Sequence, residues 1–181
     1  NADVYVTGSN SKFLSSDVIT QFRGRGDEIH VYPLSFSEYV SVYRGSQDEA
    51  WDDYLVYGGL PLILTMEEPE DKAEYLNSLF QKVYISDIVE RHNVRNKAEL
   101  DELVDFLASA IGSYTNQNKL VRTFKSVKNK NISDKTIKNY TDYLIDSYLI
   151  SKADRYDIKG KKYIGKLSKY YFEDVGLRNA R

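Results

Sequence analysis

Between Phe36 and Tyr148 apolar side chains recur every three or four residues wherever glycine, proline or a polar cluster does not intervene. That period commits most of the chain to amphipathic helices. Ser35 with Glu38 and Ser46 with Glu49 each place an N-cap hydroxyl three residues before a carboxylate, the reciprocal pairing that opens a helix. Phe36, Tyr39, Val40 and Tyr43 form the stripe of the first helix, and Trp51, Tyr54 and Leu55 that of the second. Tyr57-Gly58-Gly59-Leu60-Pro61 breaks the pattern, because paired glycines permit a sharp turn and Pro61 forbids helix at Leu60. Leu62-Ile63-Leu64 is a short apolar segment, after which Pro69 opens a long helix through Ala73, Leu76, Phe80, Val83, Tyr84 and Ile88.

A second helical set follows. Leu100, Leu103, Val104, Leu107 and Ile111 share a face that stops at Gly112-Ser113, and Leu120, Val121 and Phe124 mark a shorter helix from Asn118 to Ser126. Ser133 caps a third helix lined by Ile137, Tyr140, Leu144 and Tyr148. Leu149 to Tyr156 and Lys169 to Phe172 then read as strands flanking a basic turn, Asp157 to Lys162. Three helices and a hairpin are the order of a winged helix-turn-helix, whose third helix enters the major groove. On that helix the apolar stripe leaves Lys135, Thr136, Lys138 and Asn139 on the outward side, and Lys159, Lys161 and Lys162 occupy the hairpin tip. Lysines neutralise phosphates, a threonine hydroxyl donates to phosphate oxygen, and asparagine reads an adenine edge. The same architecture also serves as a protein-docking module, so duplex DNA and a protein partner are both expected occupants.

The N-terminal residues follow a different pattern. Asp3-Val4-Tyr5-Val6 reads as a strand ended by Thr7-Gly8-Ser9-Asn10-Ser11, and Leu14, Val18 and Phe22 give a helix that Gly24-Arg25-Gly26 stops. Glu28 to Tyr32 resumes an extended run before Pro33. Two strands joined by a crossover helix lie parallel in one sheet. Two strands cover no such sheet, and with Asn1 in place of a methionine the chain reads as an internal piece of a longer protein. The expected class is mainly α with some β, an α+β chain.

Charge divides the sequence. Residues 1–90 carry 6 Lys+Arg against 16 Asp+Glu, a balance of −10, whereas residues 91–181 carry 19 against 11, a balance of +8. Between Lys119 and Lys169 there are 14 basic and 5 acidic residues, the concentration of positive charge that a nucleic-acid footprint needs. Zero cysteines exclude disulfides and thiolate metal sites and suggest a reducing, cytoplasmic compartment. No apolar run reaches the roughly 18 to 20 residues of a membrane-spanning helix. His30 and His92 are too few and too scattered for a zinc site, and the acid pairs Asp52-Asp53 and Glu67-Glu68 lie in polar segments without an apolar pocket to separate their protonation. No metal site is expected.

Val6-Thr7-Gly8-Ser9-Asn10-Ser11, Gly24-Arg25, Val31-Tyr32-Pro33-Leu34-Ser35-Phe36, Gly58-Gly59-Leu60-Pro61, Asp87-Ile88 and Tyr171-Phe172-Glu173-Asp174-Val175-Gly176-Leu177 follow one another at spacings that span nearly the whole chain. In these stretches the sequence resembles a bacterial and archaeal family of AAA-type P-loop ATPases with a winged helix and a nuclease-like domain of unknown function. The resemblance implies that the first strand end carries sensor 1, with Ser9 or Asn10 as the group that meets the γ-phosphate or attacking water and Thr7 supporting the nucleotide side. It implies that Arg25 is an arginine finger, although Arg23 beside it leaves open which arginine acts. A planar guanidinium suits transition-state charge in phosphoryl transfer.

By the same resemblance residues 1–34 are the end of the ATPase core, 35–94 a helical lid-like segment, 95–176 the winged helix and 177–181 a tail. No G-x-x-x-x-G-K-[ST] loop occurs in the sequence. ATP and Mg²⁺ are therefore expected on the parent protein and not on these residues alone, and no hydrolysis is expected from them. Oligomers are expected through the arginine-finger side or the exposed strands. The expected activity of the parent is coupling of ATP to rearrangement of DNA or of a DNA-bound partner.

Overall fold

The computed structural model describes Tyr5 and residues 29–128, 132–154 and 167–181. The N-terminal strand, corner and helix read from the sequence fall outside these residues, apart from Tyr5, and so does the hairpin tip. The described chain is mostly helical with one small antiparallel sheet, an α+β arrangement.

Both capping boxes are formed. Ser35 opens α1 (Phe36–Val42) and Ser46 opens α2 (Gln47–Tyr57); in each, the serine hydroxyl accepts the third amide and the glutamate accepts the cap amide at 2.8 Å. These bonds hold the Glu38 and Glu49 carboxyls below their ordinary range. The Leu62 segment is a 3₁₀ turn (Pro61–Thr65) that buries Ile63. The long helix is continuous but changes winding: α3 (Pro69–Leu79) passes through a π-helical stretch (Phe80–Ile85) into α4 (Ser86–Arg91). Ser86 Oγ donates to Gln81 O across the widened turn at 2.9 Å. The sequence stripe put Val83 and Tyr84 on the buried face after Phe80; the widened turn instead buries Ile85, five residues on, and leaves Val83 46% exposed, a shift that a constant 3.6-residue period does not give. Lys72 ties α3 to α2: its stem is buried, its ammonium lies 2.8 Å from Asp53 and it sits over the Tyr57 ring.

The second set is α5 (Lys97–Ser109), α6 (Gln117–Lys128) and α7 (Asp134–Asp146), followed by β1 (Ile150–Asp154) and β2 (Ser168–Phe172). The strands pair from Ile150↔Phe172 to Asp154↔Ser168. α5 stops before Ile111, whose expected place on the helix face is taken by a turn. Gly112 at φ 69 redirects the chain so that its amide reaches Tyr170 O at 3.2 Å and Thr115 bridges Ser168. The connection between α5 and α6 thus adds one bridge beside β2. The C-terminal residues expected as a tail include a short helix, α8 (Val175–Asn179), which packs on α2; Asn179 Nδ2 donates to Leu55 O and Val56 O at 2.9 Å.

Both helical sets share one apolar interior. Ile63, Leu76, Phe80 and Ile88 from the first join Leu103, Phe124, Leu144, Ile150 and Leu177 from the second in a single buried cluster. No helix among the described residues is long and apolar enough to cross a membrane.

Candidate nucleic-acid interface

α7 is built to present its first two turns. Ser133 Oγ accepts the Thr136 amide at 3.0 Å, and Ile137, Tyr140 and Leu144 are buried, which fixes the rotation of the helix. Lys135 and Lys138 are exposed on the opposite side, as the spacing requires. Asn139 is half-buried beside them. The Thr136 hydroxyl lies 2.7 Å from Ser133 Oγ, so it takes part in the cap rather than standing free toward a ligand. Asp134 pairs with Lys125 of α6 at 2.7 Å and fastens the two helices together.

Further cations lie on α6 and β2. Lys119 and Arg122 project from α6, exposed, and Lys169 lies on β2 with its ammonium 4.6 Å from the Tyr114 ring centroid. Lys119 and Arg122 were not among the expected contact residues, although their spacing from the Leu120, Val121 and Phe124 stripe was a signal for them; the approach of Lys169 to Tyr114 depends on the Thr115 bridge. Thr7, Ser9, Asn10 and Arg25, and the hairpin-tip lysines Lys159, Lys161 and Lys162, lie outside the described residues. Among the described residues no group of histidine, aspartate or glutamate side chains could hold a metal ion.

Behind the interface, the end of β2 is locked to the first helical set. Asp174 is buried; its carboxylate accepts the Gly59 amide at 2.7 Å and the Leu177 amide at 2.9 Å, which also caps α8. A Cβ on Gly58, at φ 78, would strike this carboxylate, and one on Gly176 would strike the Tyr57 carbonyl oxygen. The two glycine-containing motifs therefore fit into each other with no room for a side chain. Burial raises the Asp174 carboxyl above the usual carboxylate range, and the amides of Gly59, Leu177 and Gly176 offset part of that. Gly58-Gly59 was legible as a turn and the Asp174 stretch only as part of the resemblance; their contact, which spans 115 residues, was not legible.

The chain belongs to a family described as a domain of unknown function (DUF8612), whose model matches residues 48–181, and the AAA domain model matches residues 1–40. The N-terminal segment is thus AAA-like. Among curated proteins, an uncharacterized protein of Haemophilus influenzae is 36% identical over 183 residues, covering 98% of this chain and 45% of its own length. An uncharacterized protein of Methanocaldococcus jannaschii is 28% identical over 171 residues, covering 88% of this chain and 38% of its own. The chain spans less than half the length of these relatives. No solved structure matches it.

Proposed function

We propose that the chain is part of an AAA-type ATPase that couples ATP to rearrangement of DNA or of a DNA-bound partner, and that residues 95–176 form a winged helix that binds duplex DNA through α7. The observation that carries the DNA reading is the outward placement of Lys135 and Lys138 on a helix whose rotation is fixed by Ile137, Tyr140 and Leu144. The order α5, bridge at Thr115, α6, α7, β1, β2 supports the winged-helix assignment. The ATPase reading rests on the AAA match over residues 1–40 and on the motifs at Thr7 to Ser11 and Gly24-Arg25. The groups that would meet the nucleotide, Ser9, Asn10, Thr7 and Arg25, supply positioning and charge in this reading; ATP and Mg²⁺ supply the transferable phosphoryl group and its counter-charge.

The test is anisotropy of a labelled duplex with the 181-residue chain at two salt concentrations. If four phosphates are contacted, affinity falls by about 100-fold between roughly 50 and 200 mM salt. Lys135→Glu with Lys138→Glu abolishes binding while the circular dichroism melt is unchanged. A flat salt response, or no binding at the lower salt, refutes the DNA reading and favours docking of the same domain on a protein.

A further inference from the structure

We propose that the outer face of the small sheet is a platform for single-stranded DNA, separate from α7. The register places Ser151 opposite Tyr171 and Ala153 opposite Lys169, so these four residues share one face; the other face carries Ile150, Tyr170 and Ser168, which are buried, with Phe172 half-buried and Lys152 and Asp154 exposed. Tyr171 is 38% exposed. Beside it, the Thr115 bridge to Ser168 brings in Tyr114, which is 54% exposed and whose ring carries the Lys169 ammonium at 4.6 Å. Two accessible rings thus bracket a cation along one face of the sheet.

Small neighbours border the Tyr171 ring. Ser151 and Ala153 are small, and Gly112 presents no side chain where a Cβ would stand 3.6 Å from the Tyr171 ring. None of the four sheet residues on this face is acidic, and Lys119 Nζ, donating to Tyr114 O at 3.2 Å, adds a second cation at the edge. Accessible aromatic faces interleaved with lysines match a strand whose bases are unstacked: the rings take bases and the ammonium groups take phosphates. A duplex hides its base faces and gains nothing from the tyrosines, which is why the inference does not depend on duplex binding by α7.

The test is anisotropy of a labelled thymidine oligomer of about 12 nucleotides at roughly 50 mM salt, a length within the usual span of such sites. Wild type binds, and Tyr114→Ala and Tyr171→Ala each weaken binding by roughly 5- to 100-fold, the range of one lost base stack. Tyr171→Phe retains binding because the ring remains. Ala153→Glu, which puts a charge on the exposed face without touching the core, also weakens it. Lys135→Glu with Lys138→Glu leaves it within about twofold, which separates this site from the duplex reading. Absence of oligomer binding, unchanged binding in both alanine variants, or loss in the α7 double variant overturns the platform. Tighter binding of a uridine oligomer than of the thymidine oligomer overturns the assignment to DNA.

Discussion

The Asp174 carboxylate accepts the backbone amide of Gly59 at 2.7 Å, joining the N-cap of α8, two residues beyond β2, to the turn that follows α2. Among the described residues no lysine or arginine pairs with Asp174, so its burial is offset by backbone dipoles alone. Asp174→Ala leaves the Gly59 and Leu177 amides without their acceptor, and stability should fall by about 2–4 kcal/mol in urea denaturation. Gly176→Ala should be at least as damaging, because the Tyr57 carbonyl has nowhere to retreat.

The same group gives a pH signature. Its folded carboxyl keeps its proton to higher pH than the unfolded one. Its contribution to stability is therefore fully present below the unfolded carboxylate value and is lost as pH rises through the folded value. Urea midpoints of wild type and Asp174→Asn, compared from about pH 3.5 upward, should show wild type losing ground against the variant across that window. Parallel curves would show that the amides cancel the burial cost.

The tyrosines make a separate alkaline window. Burial, then Asp53 and Tyr43, pushes Tyr39 up to about 12, and burial raises Tyr43, Tyr54, Tyr75, Tyr84, Tyr140 and Tyr170 as well. Raised folded values mean that stability is intact below the unfolded value of about 10 and is lost as pH rises through the folded values. Absorbance at the phenolate band should show part of the 16 tyrosines ionising only with the loss of helical circular dichroism.

Tyr39 is fully buried and its hydroxyl lacks a hydrogen-bond partner among the described residues. Tyr39→Phe should therefore raise stability at neutral pH by about 0.5–1 kcal/mol and move the alkaline transition upward. A loss of stability in this variant would reveal a bridging water at the hydroxyl.

Tyr148 occupies the left-handed position after α7 at φ 57, where glycine is the usual residue, and its ring stands 4.3 Å from that of His30. Tyr148→Gly gains about 1 kcal/mol of backbone relief and loses the ring contact, so it should be near neutral. Tyr148→Ala loses the contact without the relief and should be the less stable of the two in urea. The reverse order would mean that the left-handed backbone at this position carries no strain for glycine to relieve.

Helix caps were legible in the sequence, whereas the stripes read at Trp51, Leu55 and Val83 are exposed and the long-range contacts were not legible. Ser35, Ser46 and Ser133 cap the helices they were expected to cap, because cap and helix are three residues apart. Lys135 and Lys138 face outward because Ile137, Tyr140 and Leu144 fix the helix rotation within the same two turns. Thr136 was read as free to meet phosphate; whether its hydroxyl turns to Ser133 or to solvent is a rotamer choice that spacing does not encode. The Thr115 bridge consists of one residue pair, too short for any alternation to announce it. Gly58-Gly59 was legible as a turn, but its reason, a carboxylate 115 residues downstream, has no local trace.

α7 has thirteen residues and is therefore about 20 Å long. Lys135 stands at one end, and at the other Tyr148 holds the ring of His30, which stacks in turn on Tyr32 at 3.9 Å. His30 and Tyr32 fall within the stretch that matches the AAA domain. Through these two rings the AAA-like segment touches the chain just beyond α7, at the end opposite Lys135 and Lys138.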